Sequence, residues 1–289
     1  MNTLGIYEKA IPFQGTWKQT LQCIHEIGFH YMEFSIDESD EKLARLHWSK
    51  AEREELRQAS LETGVRLHTL MLSGHRRFPL GATDPNIRAK AIEILRLAVD
   101  LAVDLGISHI QMAGYDVYYE PKSVLTRAYY IEGLKQCVAI AAQKGVVLSI
   151  ETMDDPFLNN LAKIKALKQE IASPWLQGYP DLGNISAWPE NDVACDLEAN
   201  IDIVTCTHLK DTLAVRSDFP GKFKEVPFGE GCVDFLGCLR TLKRLNYNGG
   251  LTIEMWTGQQ DDAMKTIRMA RSFFMDLFNQ AGIEIADVE

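Results

Sequence analysis

The chain has 289 residues, 46% of them hydrophobic, and a formal net charge of -10 at pH 7. That length suffices for one large barrel or two ordinary domains, and the acidic balance argues against a nucleic-acid footprint. No apolar run approaches the ~20 residues needed to cross a bilayer, and the opening MNTLGIYEKA lacks a basic segment followed by an apolar stretch, so neither a membrane span nor a signal peptide is expected.

Strand-like and helix-like stretches alternate from end to end. LGIYE reads as a strand, followed by the helix TWKQTLQCIHEIG with Gly28 as its stop. YMEFSI is the second strand. Ser49 then caps KAEREELRQASLETG, with Glu52 three positions on as a capping box. VRLHTLML leads into the loop SGHRRFPLGATD. A helix over 84–105 places Ile87, Ala91, Ile94, Leu95, Ala98 and Leu101 on one face. HIQMAG, the helix SVLTRAYYIEGLKQCVAIAAQKG, VVLSIE and a helix near 160–171 follow. LQGYPD, a helix near 193–200, and IVTCTH come next. DFLGCLRTLKRLNYNGG leads into LTIEMW, and a last helix runs from about Asp261 to Ala281.

Eight strands, each followed by a helix, imply a parallel sheet. In a chain of this size they match a (β/α)8 TIM barrel with catalytic groups at the C-terminal rim. An open doubly wound sheet is the competing architecture, but no GxGxxG turn follows the first strand. No linker or charge block divides the chain, so residues 1–289 read as one domain. Cys23, Cys137, Cys195, Cys206, Cys232 and Cys238 form no CxxC pair and read as reduced thiols of a cytoplasmic protein.

Four metal-type side chains close apolar runs: Glu151 ends VVLSIE, Asp181 ends LQGYPD, His208 ends IVTCTH and Glu254 ends GLTIE. Any one of them alone reads as a helix cap or a solvated turn. Four in equivalent places would meet at one rim, and three carboxylates with one imidazole suit a divalent cation. The loop Gly74 to Gly81, with His75, Arg76 and Arg77, reads either as a solvated basic turn or as an anion clamp. Lys210, Lys222 and Lys224 lie beyond the seventh strand, before Gly229 and Gly231, whose backbone amides could approach an anion. Tyr7, Phe34, Trp188 and Trp256 are candidates for pocket walls or for core.

GIYEKA, HRRFPLG, AGYDVYY, YPDLGNISAW, HLKDT, VPFGEG and IEMW together resemble the L-ribulose-5-phosphate 3-epimerases, also called L-xylulose-5-phosphate 3-epimerases, of the xylose-isomerase-like barrels. The resemblance covers nearly the whole chain. It implies a cytoplasmic isomerase of bacterial L-ascorbate or related pentose breakdown. It also implies one divalent ion (Mn2+, Mg2+, Co2+ or Zn2+) on Glu151, Asp181, His208 and Glu254, a sugar-phosphate substrate and no membrane or nucleic-acid partner; a homodimer is left open. In related ketose 3-epimerases a His that touches substrate lies three residues past the metal Asp, where this chain has Asn184. The Arg those relatives place after the metal His has Arg216, Lys222 and Lys224 as counterparts here, and the FK step favours Lys224. His75, Arg76, Asn184, Lys210 and Lys224 are therefore the expected substrate contacts.

Epimerisation at C3 of a ketose removes a proton beside the C2 carbonyl and returns one to the opposite face. A bound cation would stabilise the enediolate charge. Two carboxylates flanking C3 would act as base and acid, with the roles exchanged in the reverse direction; Glu151 and Glu254 are the expected pair. Three other readings remain. A ketol isomerase acting on a hexulose 6-phosphate or related sugar phosphate would move hydrogen between C1 and C2. A metal-dependent AP endonuclease would share the barrel plan but need more metal-type His and a basic DNA face, against which the net charge of -10 argues. A non-catalytic sugar-phosphate binding protein would bind without exchanging a proton.

Overall fold

The computed structural model of the protein describes residues 1–257 and 262–288. Eight parallel strands form one sheet: β1 (Thr3–Tyr7), β2 (Tyr31–Ile36), β3 (Arg66–Leu72), β4 (His109–Ala113), β5 (Val147–Glu151), β6 (Leu176–Tyr179), β7 (Cys206–Leu209) and β8 (Gly250–Ile253). Neighbours in sequence are neighbours in the sheet, and β1 pairs with β8. The circle closes between β6 and β7 through the single bridges Gly178 to Val204 and Asp181 to His208. The result is a (β/α)8 barrel.

Around it lie α1 (Trp17–Ile27), α2 (Asp40–Ala44), α3 (Lys50–Thr63), α4 (Pro85–Leu105), α5 (Val124–Gln143), α6 (Leu161–Ile171), α7 (Leu182–Ser186), α8 (Val193–Asn200), α9 (Phe235–Arg244) and α10 (Ala263–Ala281). The capping signals act as expected. The Ser49 hydroxyl accepts from Glu52 N while the Glu52 carboxylate accepts from Ser49 N at 2.7 Å. Gly28 closes α1 at φ 96°, a left-handed conformation open to glycine. Two short helices, α2 and α7, break the expected rule of one helix per strand. The expected strand IVTCTH also divides: its Ile203 ends the 3-10 turn Ile201–Ile203, and only Cys206–Leu209 is strand. The expected start of the last helix at Asp261 lies outside the described residues. Among the described residues no helix is long and apolar enough to cross a membrane.

Strand alternation sends Leu4, Ile6, Met32, Phe34, Leu148 and Ile150 into the core shared with the helices. The opposite faces fill the barrel with polar groups, among them Tyr31, Glu33, Gln111, Glu151, Tyr179 and Thr252, each at most 2% exposed. The register slips once, between β2 and β3. Met32 pairs with Leu67, but Glu33 pairs with Thr69, so His68 is an extra residue in β3. Both His68 and Thr69 then project inward: His68 Nε2 lies 3.4 Å from Cys206 Sγ, and Thr69 Oγ1 donates to Glu33 Oε1 at 2.6 Å.

Candidate active site

Glu151, Asp181, His208 and Glu254 converge at the C-terminal rim of β5 to β8, all buried, each offering one ligand atom within 4.8 Å of the others. The backbone delivers each for a local reason. Glu151 is the last residue of β5 and Glu254 immediately follows β8, where its N–H donates to Leu209 O at 3.0 Å. Asp181 is both a helix cap and a member of the cluster: Oδ1 accepts from Asn184 N at 2.9 Å, and Oδ2 faces the site. His208 presents Nδ1 to the carboxylates, 2.8 Å from Glu151 Oε1, 3.5 Å from Glu254 Oε2 and 3.9 Å from Asp181 Oδ2.

Two further buried residues belong to the site and were not among the expected ones. Glu33, in the middle of β2, holds the other ring nitrogen, with Oε2 2.7 Å from His208 Nε2. Gln111 of β4 donates from Nε2 to Glu151 Oε2. The signal for Glu33 was available in YMEFSI: a carboxylate inside an apolar strand needs a partner.

Lys210 enters the cluster directly, its Nζ 2.6 Å from Asp181 Oδ2 and 3.0 Å from Glu254 Oε2. Burial acts to raise the pKa of all three cluster carboxyls, and their charged neighbours decide the outcome. For Glu151, burial and the Glu254 charge outweigh His208, and its pKa is raised. Asp181 is also raised, mainly by burial and despite Lys210. For Glu254 the nearby Lys210 and His208 outweigh burial, and the group is lowered. His208 is raised despite its burial, because Glu33, Glu254 and Glu151 surround it. Three buried carboxylates face one lysine, and apart from that lysine neither Asp181 Oδ2 nor Glu254 Oε2 has a donor. An oxygen-rich, net-negative cluster with one imidazole fits a divalent cation, which would displace the proton from Nδ1.

The expected substrate residues divide. Arg76 sits partly buried over the rings of Tyr115 and Tyr118, 5.5 Å from each centroid, with its Nε unpartnered. Lys224 is 5.7 Å from the Trp256 ring, and Lys210 is 5.9 Å from the same ring. Partial desolvation at the crowded rim and the Arg76 charge hold Lys224, whose side chain is otherwise exposed, below the usual lysine range, so the two cations share one region of the rim. Asn184 is buried, its Nδ2 donating to Thr152 O at 2.7 Å and its Oδ1 left without a partner. Tyr7 packs edge-on against Trp256 at 6.0 Å, whereas Phe34 packs with Trp17 and Trp48 on the helix side of the wall. Trp188 meets Phe223 at 6.0 Å. Arg216 and Lys222 belong to an exposed hairpin bridged at Leu213–Lys222 and Arg216–Phe219. The amides of Gly229 and Gly231 do approach an anion, and it is internal: both donate to Asp211 Oδ2, at 2.8 and 3.0 Å.

His75 is the correction. The 3-10 turn Gly74–Arg76 folds its ring away from the cluster, and Nε2 meets Ala91 O of α4 at 3.0 Å. Burial lowers its pKa from 6.5 to about 4, and His68 is shifted by burial to about 4 as well. An unfolded His takes up its proton near pH 6.5, the folded one only near 4. Stability is therefore unaffected above that window and falls as pH drops through it, by up to ~1.4 kcal/mol per pH unit for each ring. Urea midpoints at pH 7 and pH 5 should fall less steeply for His75→Gln than for the wild type. Equal slopes would show that His75 protonates freely in the fold.

The family model described as "Xylose isomerase-like TIM barrel" matches residues 21–274. L-ribulose-5-phosphate 3-epimerase from Escherichia coli O157:H7 (strain EC4115) is 45% identical over 280 residues, covering 97% of this chain and 96% of the relative. Its counterpart from Shigella boydii serotype 18 is 44% identical with the same coverage. Among solved structures, an L-ribulose 3-epimerase superimposes with a TM-score of 0.76 at 18% identity, over 98% of this chain and 96% of that one. D-allulose 3-epimerase from Methylomonas sp. with D-allulose gives 0.75 at 20% identity, over 95% of this chain and 96% of that one. These two likenesses establish the fold, and the sequence relatives establish the kinship: the chain is an epimerase of the L-ribulose-5-phosphate 3-epimerase family of xylose isomerase-like TIM barrels.

Proposed function

We propose that this enzyme interconverts L-xylulose 5-phosphate and L-ribulose 5-phosphate by proton removal and return at C3, as one catalytic domain spanning residues 1–289. The observation that carries the reading is the pair of buried carboxylates, Glu151 and Glu254, set on strands separated by β6 and β7 yet brought into one cluster of ligand atoms. Glu151, Asp181, His208 and Glu254 would hold a divalent ion. Such an ion supplies Lewis-acid stabilisation of the negative charge that develops on the ketose oxygens. Glu151 and Glu254 take the C3 proton from one face and deliver one to the other, exchanging roles with the direction of reaction. Lys210 offsets charge beside Glu254 and Asp181 and lies within reach of a substrate oxygen. Asn184 offers its free Oδ1. Arg76 and Lys224, converging beside Trp256, Tyr115 and Tyr118, bind the phosphate. The six cysteines are unpaired, which suits a reducing cytoplasm and a role in L-ascorbate or related pentose breakdown.

The test is incubation with L-xylulose 5-phosphate in D2O, followed at C3 by NMR. Deuterium should enter C3 as the second ketose accumulates. Chelation by EDTA should stop both events, and Mn2+, Mg2+, Co2+ or Zn2+ should restore them. An aldose product would make the enzyme a ketol isomerase, and binding without exchange would make it a sugar-phosphate binding protein.

A further inference from the structure

We infer that Glu33 is a positioning residue that selects Nδ1 of His208 as the ligand atom for the cation; the inference rests on reading the cluster as a metal centre. The imidazole has two nitrogens, and only a partner on one side decides which faces an ion. Here that partner is Glu33, whose Oε2 lies 2.7 Å from Nε2. A carboxylate only accepts, so Glu33 keeps the hydrogen on Nε2, and Nδ1, whose proton a cation would displace, is the nitrogen that faces Glu151, Glu254 and Asp181.

Glu33 is itself held. Its Oε1 accepts from Thr69 Oγ1 at 2.6 Å and from the Tyr179 hydroxyl at 3.0 Å, and that hydroxyl is 3.2 Å from Thr252 Oγ1. The Tyr179 ring also stands edge-on to the imidazole, with centroids 4.6 Å apart. The extra residue in β3 is what brings Thr69 opposite Glu33. Without it His68 would occupy that register, and it instead faces Cys206 lower in the barrel. An irregular strand, a tyrosine and a threonine thus converge on one carboxylate that touches none of the three cluster carboxylates in its hydrogen bonding and serves the ring alone.

The test titrates Mn2+ calorimetrically into chelator-stripped wild type, Glu33→Ala and Glu33→Gln. Glu33→Ala should bind Mn2+ about 10- to 100-fold more weakly, the range typical of losing such an orienting partner. Glu33→Gln keeps an oxygen that accepts from Nε2–H and should recover most of that loss. Unchanged affinity in Glu33→Ala overturns the assignment, and so does a Glu33→Gln protein as weak as Glu33→Ala. Should the alanine variant fail to fold, 15N NMR of the histidine rings in Zn2+-loaded wild type decides: a protonated Nε2 and a metal-shifted Nδ1 are expected, and a metal-shifted Nε2 overturns the inference. Wild type that takes up no ion removes the metal reading along with it, whereas uptake through Nε2 removes the role of Glu33 alone.

Discussion

Glu151→Gln and Glu254→Gln enzymes are each expected to lose ~10²–10⁴-fold in kcat, the usual contribution of a general acid or base. Glutamine keeps the shape and one oxygen ligand but cannot shuttle a proton. The fold should tolerate both changes. Gln111 Oε1 is buried without a partner, so its amide can turn over and accept from a new amide at position 151. The double variant should lose less than the product of the single losses, because both groups act on one intermediate. Solvent exchange gives the sharper reading. With one carboxylate disabled, the other still reaches the C3 hydrogen of one epimer. Deuterium should then wash into that epimer without conversion, and the second variant should show the opposite preference. Near-normal turnover in both variants would leave the two-carboxylate mechanism without support.

Charge reversal at Lys224 is expected to raise KM for the phosphorylated ketose roughly 10- to 100-fold, since a hydrogen bond to a charged group contributes about 1.5–3 kcal/mol. The same change should leave KM for the unphosphorylated sugar nearly unaltered, and kcat should move little, because binding that is equal in ground and transition state appears in KM. Lys224 is the cleaner probe because it is exposed at the rim, while Arg76 is wedged over two tyrosine rings. Arg76→Glu should show the same preference for affecting the phosphosugar, with some added loss from disturbed packing. An equal rise in KM for both sugars would place the phosphate elsewhere.

The barrel was legible because its strands are short, apolar-rich segments that alternate with helix-patterned ones, and YMEFSI coincides with β2 residue for residue. The sequence was least informative at β6 and β7. Pro180 ends the ladder after Tyr179, and Ile203, the first residue of IVTCTH, is apolar because it packs on the core, not because it extends a strand. The metal-type tetrad could be read because each member sits where a strand ends. Glu33 and Gln111 could not be placed in the same way, since they lie inside strands and become partners of His208 and Glu151 only when the barrel curls. His75 misled for the opposite reason. Its basic neighbours Arg76 and Arg77 suggest an anion clamp, but a single turn of 3-10 helix decides which side chain of that run faces the rim.

The way the barrel closes has a mechanical consequence. Every other neighbouring pair of strands shares between three and six registered residues, with four on either side of β8, whereas the seam between β6 and β7 has only the isolated bridges Gly178 to Val204 and Asp181 to His208. The second of these contacts joins two members of the tetrad. A cation gripping both would act as a clasp across the thinnest joint of the cylinder, so its binding energy would be spent on shape as well as on chemistry. Amide hydrogens along this seam, such as those of Thr205 and His208, which donate to Gly178 O and Pro180 O at 3.1 and 2.9 Å, should exchange faster once the ion is stripped. The far wall at β2 and β3 should hold its protection.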